Sequence, residues 1–294
     1  MILGAGHMSE LRDSQLQLLW TARIDYSTSS RVEPHQHNDY EQLLVILSGD
    51  GEVCIGEQHY TMKEGSAYLL LRGVSHSFQF KRDTITLDFK FRLSDSRIME
   101  ALGSAEPYCI CRGTELTEIK QWYKMSLQQM RNPVSVHPLR IEAGFKSTLV
   151  SLLLSGAAVH ASPYAALPSV DDNEPLVHYL KTNFAEKITL DLLAKHFGFN
   201  RNYLIKIFYD KTGITPIQFL QAIRLEKSKE YLEFTSLSIS EVADKVGWTL
   251  PYFSKILKKQ VGLSPSQYRD SLLNAVGKDI ILEHDFLNEW RIVR

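Results

Sequence analysis

An ungapped internal repeat constrains this 294-residue chain more than any other feature. At an offset of 49 residues, Ala194 matches Ala243, Gly198 matches Gly247, Tyr203 matches Tyr252, Lys206 matches Lys255 and Ile207 matches Ile256. Gly213/Gly262, Pro216/Pro265 and Gln218/Gln267 complete eight identities in register, with conservative pairs such as Phe199/Trp248 and Phe208/Leu257 between them. Two unrelated amphipathic helices would not align two glycines and a proline, so the chain carries one supersecondary unit twice. Each copy starts with a helix (Leu190 to Phe197 in the first) that stops at a glycine able to take the left-handed C-cap. A tight turn follows, and Asn200 or Thr249 offers the N-cap oxygen of a second helix. In the first copy that helix is expected to bury Tyr203, Leu204, Ile207 and Phe208 and to end at Gly213. Thr215-Pro216 and Ser264-Pro265 then open a further helix. This is helix-turn-helix geometry, in which the second helix can enter a major groove. The helix from Pro216 to about Leu232 joins the copies and spans ~25 Å. With its turns it could set two recognition helices about one duplex turn, ~34 Å, apart.

Charge agrees with a polyanion partner. From Glu174 to Asp270 there are 14 Lys and Arg against 10 Asp and Glu, a net +4 concealed by the overall −1. The outward face of the first recognition helix presents Arg201, Asn202, Ile205, Lys206 and Tyr209, beside the cap Asn200. Arg suits guanine, Asn suits adenine and Ile can touch a thymine methyl. The second offers Thr249, Leu250, Ser254, Lys255, Lys258 and Lys259, a set richer in phosphate partners. The first unit is therefore expected to carry more of the sequence specificity. For any single Lys, a solvated surface charge is the competing explanation.

These residues carry a family resemblance. Ala194, Gly198, Tyr203-Leu204, Phe208, Thr212-Gly213, Pro216 and Phe219 are followed by Ile239-Ser240-Glu241-Val242-Ala243, Val246-Gly247, Tyr252-Phe253-Ser254-Lys255, Lys258-Lys259, Gly262, Ser264-Pro265 and Tyr268-Arg269. The segment resembles the DNA-binding domain of the AraC/XylS family of bacterial transcription regulators, whose fold is two helix-turn-helix units joined by a long helix. One departure stands out: the family's second unit usually has one more residue where this chain has Trp248-Thr249-Leu250-Pro251.

The N-terminal part reads differently. Between Trp20 and Phe91, short β-rich runs alternate with turn signals such as Ser48-Gly49-Asp50-Gly51, as in an antiparallel barrel or sandwich. Thr84 to Phe91 alternates Ile85, Leu87, Phe89 and Phe91 with polar partners. His35, His37 and Glu41 occupy odd positions, which an unbroken strand would project from one face. His76 follows about forty residues later. Their order, with Gly49, Gly65 and Gly73, resembles the cupin pattern, and AraC-family regulators often carry such a barrel to bind an effector. Three readings stay open for these side chains. They could bind a divalent metal through His35, His37, Glu41 and His76. They could hydrogen-bond a small molecule, or simply be satisfied by the backbone. Arg72 at the pocket mouth could bind an anionic or hydroxylated ligand, against the simpler reading of a surface Arg, and Trp20 and Tyr40 could stack on a sugar ring, against the simpler reading of core aromatics.

From Thr114 the apolar period becomes helical, predicting helices over 114–131 and 135–158 that either pack on the barrel or form a dimer interface. Cys109-Ile110-Cys111 has no matching pair for a zinc site and reads as thiols on a strand edge. No nucleotide-binding loop or nucleophile elbow occurs, no stretch is apolar enough to span a membrane, and no secretory leader is evident. The expectation is an α+β multi-domain chain. Residues 1–162 form a cupin-like antiparallel β-barrel plus two helices, and 163–173 a linker. Residues 174–275 form an all-α domain with two helix-turn-helix units joined by a long helix, and 276–294 a tail. The expected function is a cytoplasmic, sequence-specific transcription regulator, not an enzyme and needing no cofactor. Its expected partners are double-stranded DNA, a small-molecule effector (a sugar is one candidate), RNA polymerase and a second copy of itself. The alternative is a cupin metalloenzyme with a DNA-binding appendage.

Overall fold

The computed structural model describes residues 11–111, 113–156, 175–273, 280–281 and 292–293. The chain divides into two compact units, residues 1–160 with 274–294, and residues 161–273. The linker expected over 163–173 lies outside the described residues.

The first unit is built on two antiparallel sheets. Its strands are β1 (Leu16–Tyr26), β2 (Arg31–His35), β3 (Glu41–Ser48), β4 (Gly51–Ile55), β5 (Gln58–Met62), β6 (Ser66–Leu70), β7 (His76–Phe80), β8 (Thr84–Leu93) and β9 (Tyr108–Ile110). The tail supplies two more, β10 (Ile280–Ile281) and β11 (Ile292–Val293). One sheet runs β10-β1-β8-β3-β6-β9 and the other β11-β2-β7-β4-β5. Leu44, Ile46, Val53, Met62, Tyr68, Leu70, Phe78 and Phe80 fill the space between them. Three helices accompany the sheets: α1 (Ser96–Ser104), α2 (Gly113–Arg131) and α3 (His137–Gly156).

Helix α3 packs on the outer face of the first sheet, where Phe145 stacks on Phe89 (5.1 Å between ring centroids) and meets Phe91 edge-on (5.2 Å). The barrel therefore receives the helix pair. The apolar series Leu87, Phe89 and Phe91 of β8 faces the helices, so its polar partners Thr84, Thr86, Asp88 and Lys90 face the barrel interior. The register agrees: Lys90 pairs with Gln42 and Trp20, and Asp88 with Leu44 and Ala22. Both faces of β8 are buried, one under α3 and the other inside the barrel.

The second unit comprises α4 (Pro175–Thr182), α5 (Leu190–Phe197), α6 (Arg201–Thr212), α7 (Pro216–Phe234), α8 (Ile239–Lys245), α9 (Leu250–Val261) and α10 (Pro265–Leu273). The sequence offset of 49 recurs in the helix starts, with α5, α6 and α7 matched by α8, α9 and α10. Both copies reverse direction at left-handed glycines, Gly198 (φ 69°) and Gly247 (φ 71°). The first core gathers Leu180, Leu193, Leu204, Phe208 and Leu220, and the second Leu232, Val242, Val246, Trp248, Phe253 and Leu257. Helix α7 contributes to both, and Phe184 packs against both. A Cβ added at Gly247 would lie 2.2 Å from the Ala185 carbonyl oxygen, so the α8–α9 turn abuts the segment before α5.

Candidate functional site

Local rules set the aim of α6. Thr189 and Asn200 cap α5 and α6, and the Asn200 side chain accepts from the Tyr203 amide at 2.8 Å. Leu204 and Phe208 anchor the inner face. Arg201, Asn202, Lys206 and Tyr209 are exposed on the other side, with Ile205 half-buried. Arg201 reaches Asp191 at 3.4 Å, an exposed pair that phosphate or a base edge can displace. In α9, Phe253 and Leu257 anchor, while Leu250, Lys255, Lys258 and Lys259 are exposed and Ser254 half-buried.

Two expectations need correction here. Thr249 makes no side-chain cap bond, since Pro251 in the first turn removes one of the amides that would seek it. Tyr203 is not buried but 48% exposed, standing edge-on to exposed Phe199 at 5.3 Å. Its counterpart Tyr252 is likewise exposed and accepts a bond from Gln221 on α7 at 3.0 Å. The aromatic repeat at these two positions thus marks the surface of the recognition helices, not their core.

Inside the barrel, polar groups occupy space that a structural core would fill with hydrocarbon. His35, His37 and His76 converge, with ring nitrogens that all lie within 4.8 Å of one another. His37 also stacks on Tyr40 (4.3 Å). His37 Nε2 bonds Gln42 Oε1 at 2.8 Å, and Gln42 Nε2 donates to Asp88 Oδ1 at 2.8 Å. Lys90 Nζ donates to the Tyr40 hydroxyl at 3.3 Å and lies over the Trp20 ring, 4.9 Å from its centroid. Burial sets the protonation. Desolvation pushes His37 down to about 3 and His76 to about 4, with Lys90 adding to both, so these rings are neutral. Desolvation raises Asp88 to about 7 against the pull of Lys90.

Unfolding returns Asp88 to about 3.8, so the native state holds a proton there that the unfolded chain does not. Stability from this group is full below the unfolded value and is lost as pH rises toward 7. Asp88→Asn should therefore gain about 3 kcal/mol relative to the parent between pH 5 and 8, read by urea denaturation. A difference that stays flat with pH would contradict the burial of this carboxyl.

Glu41 and Arg72 do not join this cluster. Residues 36–40 form no strand, so the alternation restarts at β3 and Glu41 points to the outer face. There it pairs with Arg72 Nε at 2.5 Å and accepts from the Leu93 amide at 3.1 Å. Sequence reasoning missed Gln42, Asp88 and Lys90, for which the charged pair Asp88/Lys90 between apolar positions was the available signal. A separate cavity of about 250 Å³ lies outside the barrel under α1 and α3, lined mostly by apolar groups such as Leu43, Leu69, Leu102 and Leu149. It lacks the convergent polar groups of the interior.

Comparison with known proteins agrees with both units. Residues 193–271 match the family described as a helix-turn-helix domain, and residues 23–89 the cupin domain family. The lactose operon transcription activator of Staphylococcus xylosus is 33% identical over 238 residues, 77% of this chain and 82% of that protein. The chain belongs to the AraC/XylS family of transcription regulators. The HTH-type transcriptional regulator YfiF of Bacillus subtilis is 24% identical over 82% of this chain and 81% of its own length. Among solved structures, the C-terminal domain of AraT, a response regulator from Geobacillus stearothermophilus, is 37% identical, covering 33% of this chain and 85% of that one, with a TM-score of 0.32. As an AraC-family member the chain is a DNA-binding regulator with a cupin domain ahead of its helix-turn-helix pair. The shortened turn at Trp248-Thr249-Leu250-Pro251 leaves α8 and α9 in register with α5 and α6. No helix among the described residues is long and apolar enough to cross a membrane.

Proposed function

We propose that this regulator reads DNA through α6 and α9 and senses a small polar effector inside the barrel. Arg201, Asn202, Ile205, Lys206 and Tyr209 would meet base edges, and Lys255, Lys258 and Lys259 phosphates. The observation that carries the effector reading is the polar interior itself. A buried Lys, Asp and Gln beside three histidines cost stability that a purely structural barrel would not spend. Lys90 supplies a donor, the neutral histidines supply acceptors, and Trp20 and Tyr40 supply ring faces, a set suited to a hydroxylated or anionic molecule such as a sugar. The protein would act by binding, not catalysis, in the cytoplasm. The names of relatives support activation of transcription; RNA polymerase and a second copy of the chain would be its partners.

The histidines also fit a divalent ion, as the cupin resemblance implies. His35 Nδ1 and His76 Nδ1 lie 2.9 and 3.0 Å from the carbonyls of Glu33 and Val74. A carbonyl only accepts, so the neutral His76 ring carries its proton on Nδ1 and leaves a lone pair on Nε2. His76 Nε2 is buried with no hydrogen-bond partner. His35, His37 and His76 would hold the ion, without Glu41, and the ion would supply an electrophilic anchor for effector oxygens.

The test is thermal unfolding of the full chain against a panel of sugars, sugar phosphates and organic acids, with and without Zn²⁺ or a chelator. At 100 times Kd a ligand adds about 2.7 kcal/mol, a shift of several degrees. Lys90→Met should erase the shift given by the effector while leaving DNA affinity intact. A panel hit whose shift survives Lys90→Met would place the site elsewhere.

A further inference from the structure

Arg224 sits at the middle of α7, the helix that joins the two helix-turn-helix units, and is buried. Its three kinds of guanidinium nitrogen each find a main-chain carbonyl. Nε donates to Phe184 O at 2.6 Å and Nη2 to Glu186 O at 2.6 Å, both in the segment entering the first unit. Nη1 donates to Gly247 O at 2.9 Å, in the turn of the second unit. The planar fork makes these bonds directional, which a point-charge ammonium would not. Gly247 meets Ala185 so closely that any side chain there would collide with its backbone. One side chain therefore ties the entry to α5, the spacer helix and the turn before α9. The two apolar cores are otherwise distinct and share α7 and Phe184.

We propose that Arg224 is a positioning residue for DNA recognition: it fixes the phase between α6 and α9, and with it the half-site spacing the protein accepts. Each unit keeps its own core without Arg224, but the two no longer present their recognition helices at one fixed separation. The gain from engaging two grooves at once depends on that separation, because a linker that leaves the second module free dilutes its effective concentration. The inference rests on the reading of α6 and α9 as the groove readers.

The probe is a duplex selected by the wild-type full-length protein from a random-sequence library, with two derivatives. One has the second half-site scrambled, and the other has 5 base pairs, about half a turn, inserted between half-sites. For Arg224→Met, affinity for the intact duplex should fall about 30-fold, toward that for the single half-site. Affinity for the single half-site should stay within about threefold of wild type, and the penalty for the insertion should vanish. A folded Arg224→Met protein that still prefers the intact duplex over the inserted one overturns the proposal. So does an equal loss on the intact and single-half-site duplexes, which would mark a role in stability alone. If Arg224→Met does not fold, Arg224→Lys carries the same test: it keeps the charge and stem, loses the fork and should lose part of the spacing preference, and an unchanged preference overturns the proposal. Should Arg201→Ala/Asn202→Ala leave affinity for the intact duplex unaltered, the assignment of α6 fails instead, independently of Arg224.

Discussion

Gly247→Ala should cost the helical unit about 3 kcal/mol of stability, whereas Gly198→Ala, at the equivalent place in the first repeat, should cost about 1 kcal/mol. The two glycines have nearly the same backbone, φ 71° and 69°, so both substitutions incur the left-handed penalty of an L-residue. They differ in what surrounds them. Nothing lies within 4 Å of a Cβ at Gly198, but a Cβ at Gly247 would stand 2.2 Å from a backbone oxygen and 2.9 Å from an Arg224 nitrogen. Backbone cannot rotate aside as a side-chain tip can, so the turn must shift and strain the bond from Arg224 to Gly247. Urea denaturation of both variants, followed by helical circular dichroism, measures the difference. Equal losses would mean that the close approach at Gly247 relaxes at no cost.

The double substitution Arg201→Ala/Asn202→Ala should lower affinity for the selected duplex about 100-fold, but affinity for an unrelated duplex by less than about threefold. Both side chains stand exposed in the first turn of α6, where a recognition helix meets base edges. Lys258→Ala/Lys259→Ala should behave oppositely, weakening both duplexes alike and reducing the salt slope by about 2. Gel-shift titrations at several salt concentrations separate the two patterns. Equal losses on the two duplexes for the α6 variant would remove base reading from this helix.

The helical unit was legible because its punctuation is local. Glycines that must turn left-handed, Thr and Ser capping oxygens and Pro at helix starts each act within a turn of their own position, so the repeat in sequence became a repeat in structure. The barrel was legible in outline but not in polarity. Strand β8 has apolar residues on one face and polar ones on the other, and sequence alternation cannot say which face a neighbouring helix will cover. Phe145 of α3 decides it, from more than fifty residues away, by covering Phe89 and Phe91. Alternation alone therefore left the facing of Asp88 and Lys90 undecided, and the structure turns them to the interior. Glu41 failed for a related reason. The parity rule that grouped it with His35 and His37 holds only along an unbroken strand, and five loop residues intervene. Arg224 gave no motif to read, since its partners are backbone atoms far away in sequence.

The strands β10 and β11 carry a practical consequence. After the helical unit the polypeptide returns to extend both sheets, β10 beside Trp20 and β11 beside Val32. The DNA reader is thus spliced into a discontinuous barrel, as a guest domain is inserted into a host. A C-terminal truncation, usually chosen to leave a sensor alone, would here strip an edge strand from each sheet, including the one that carries His35 and His76.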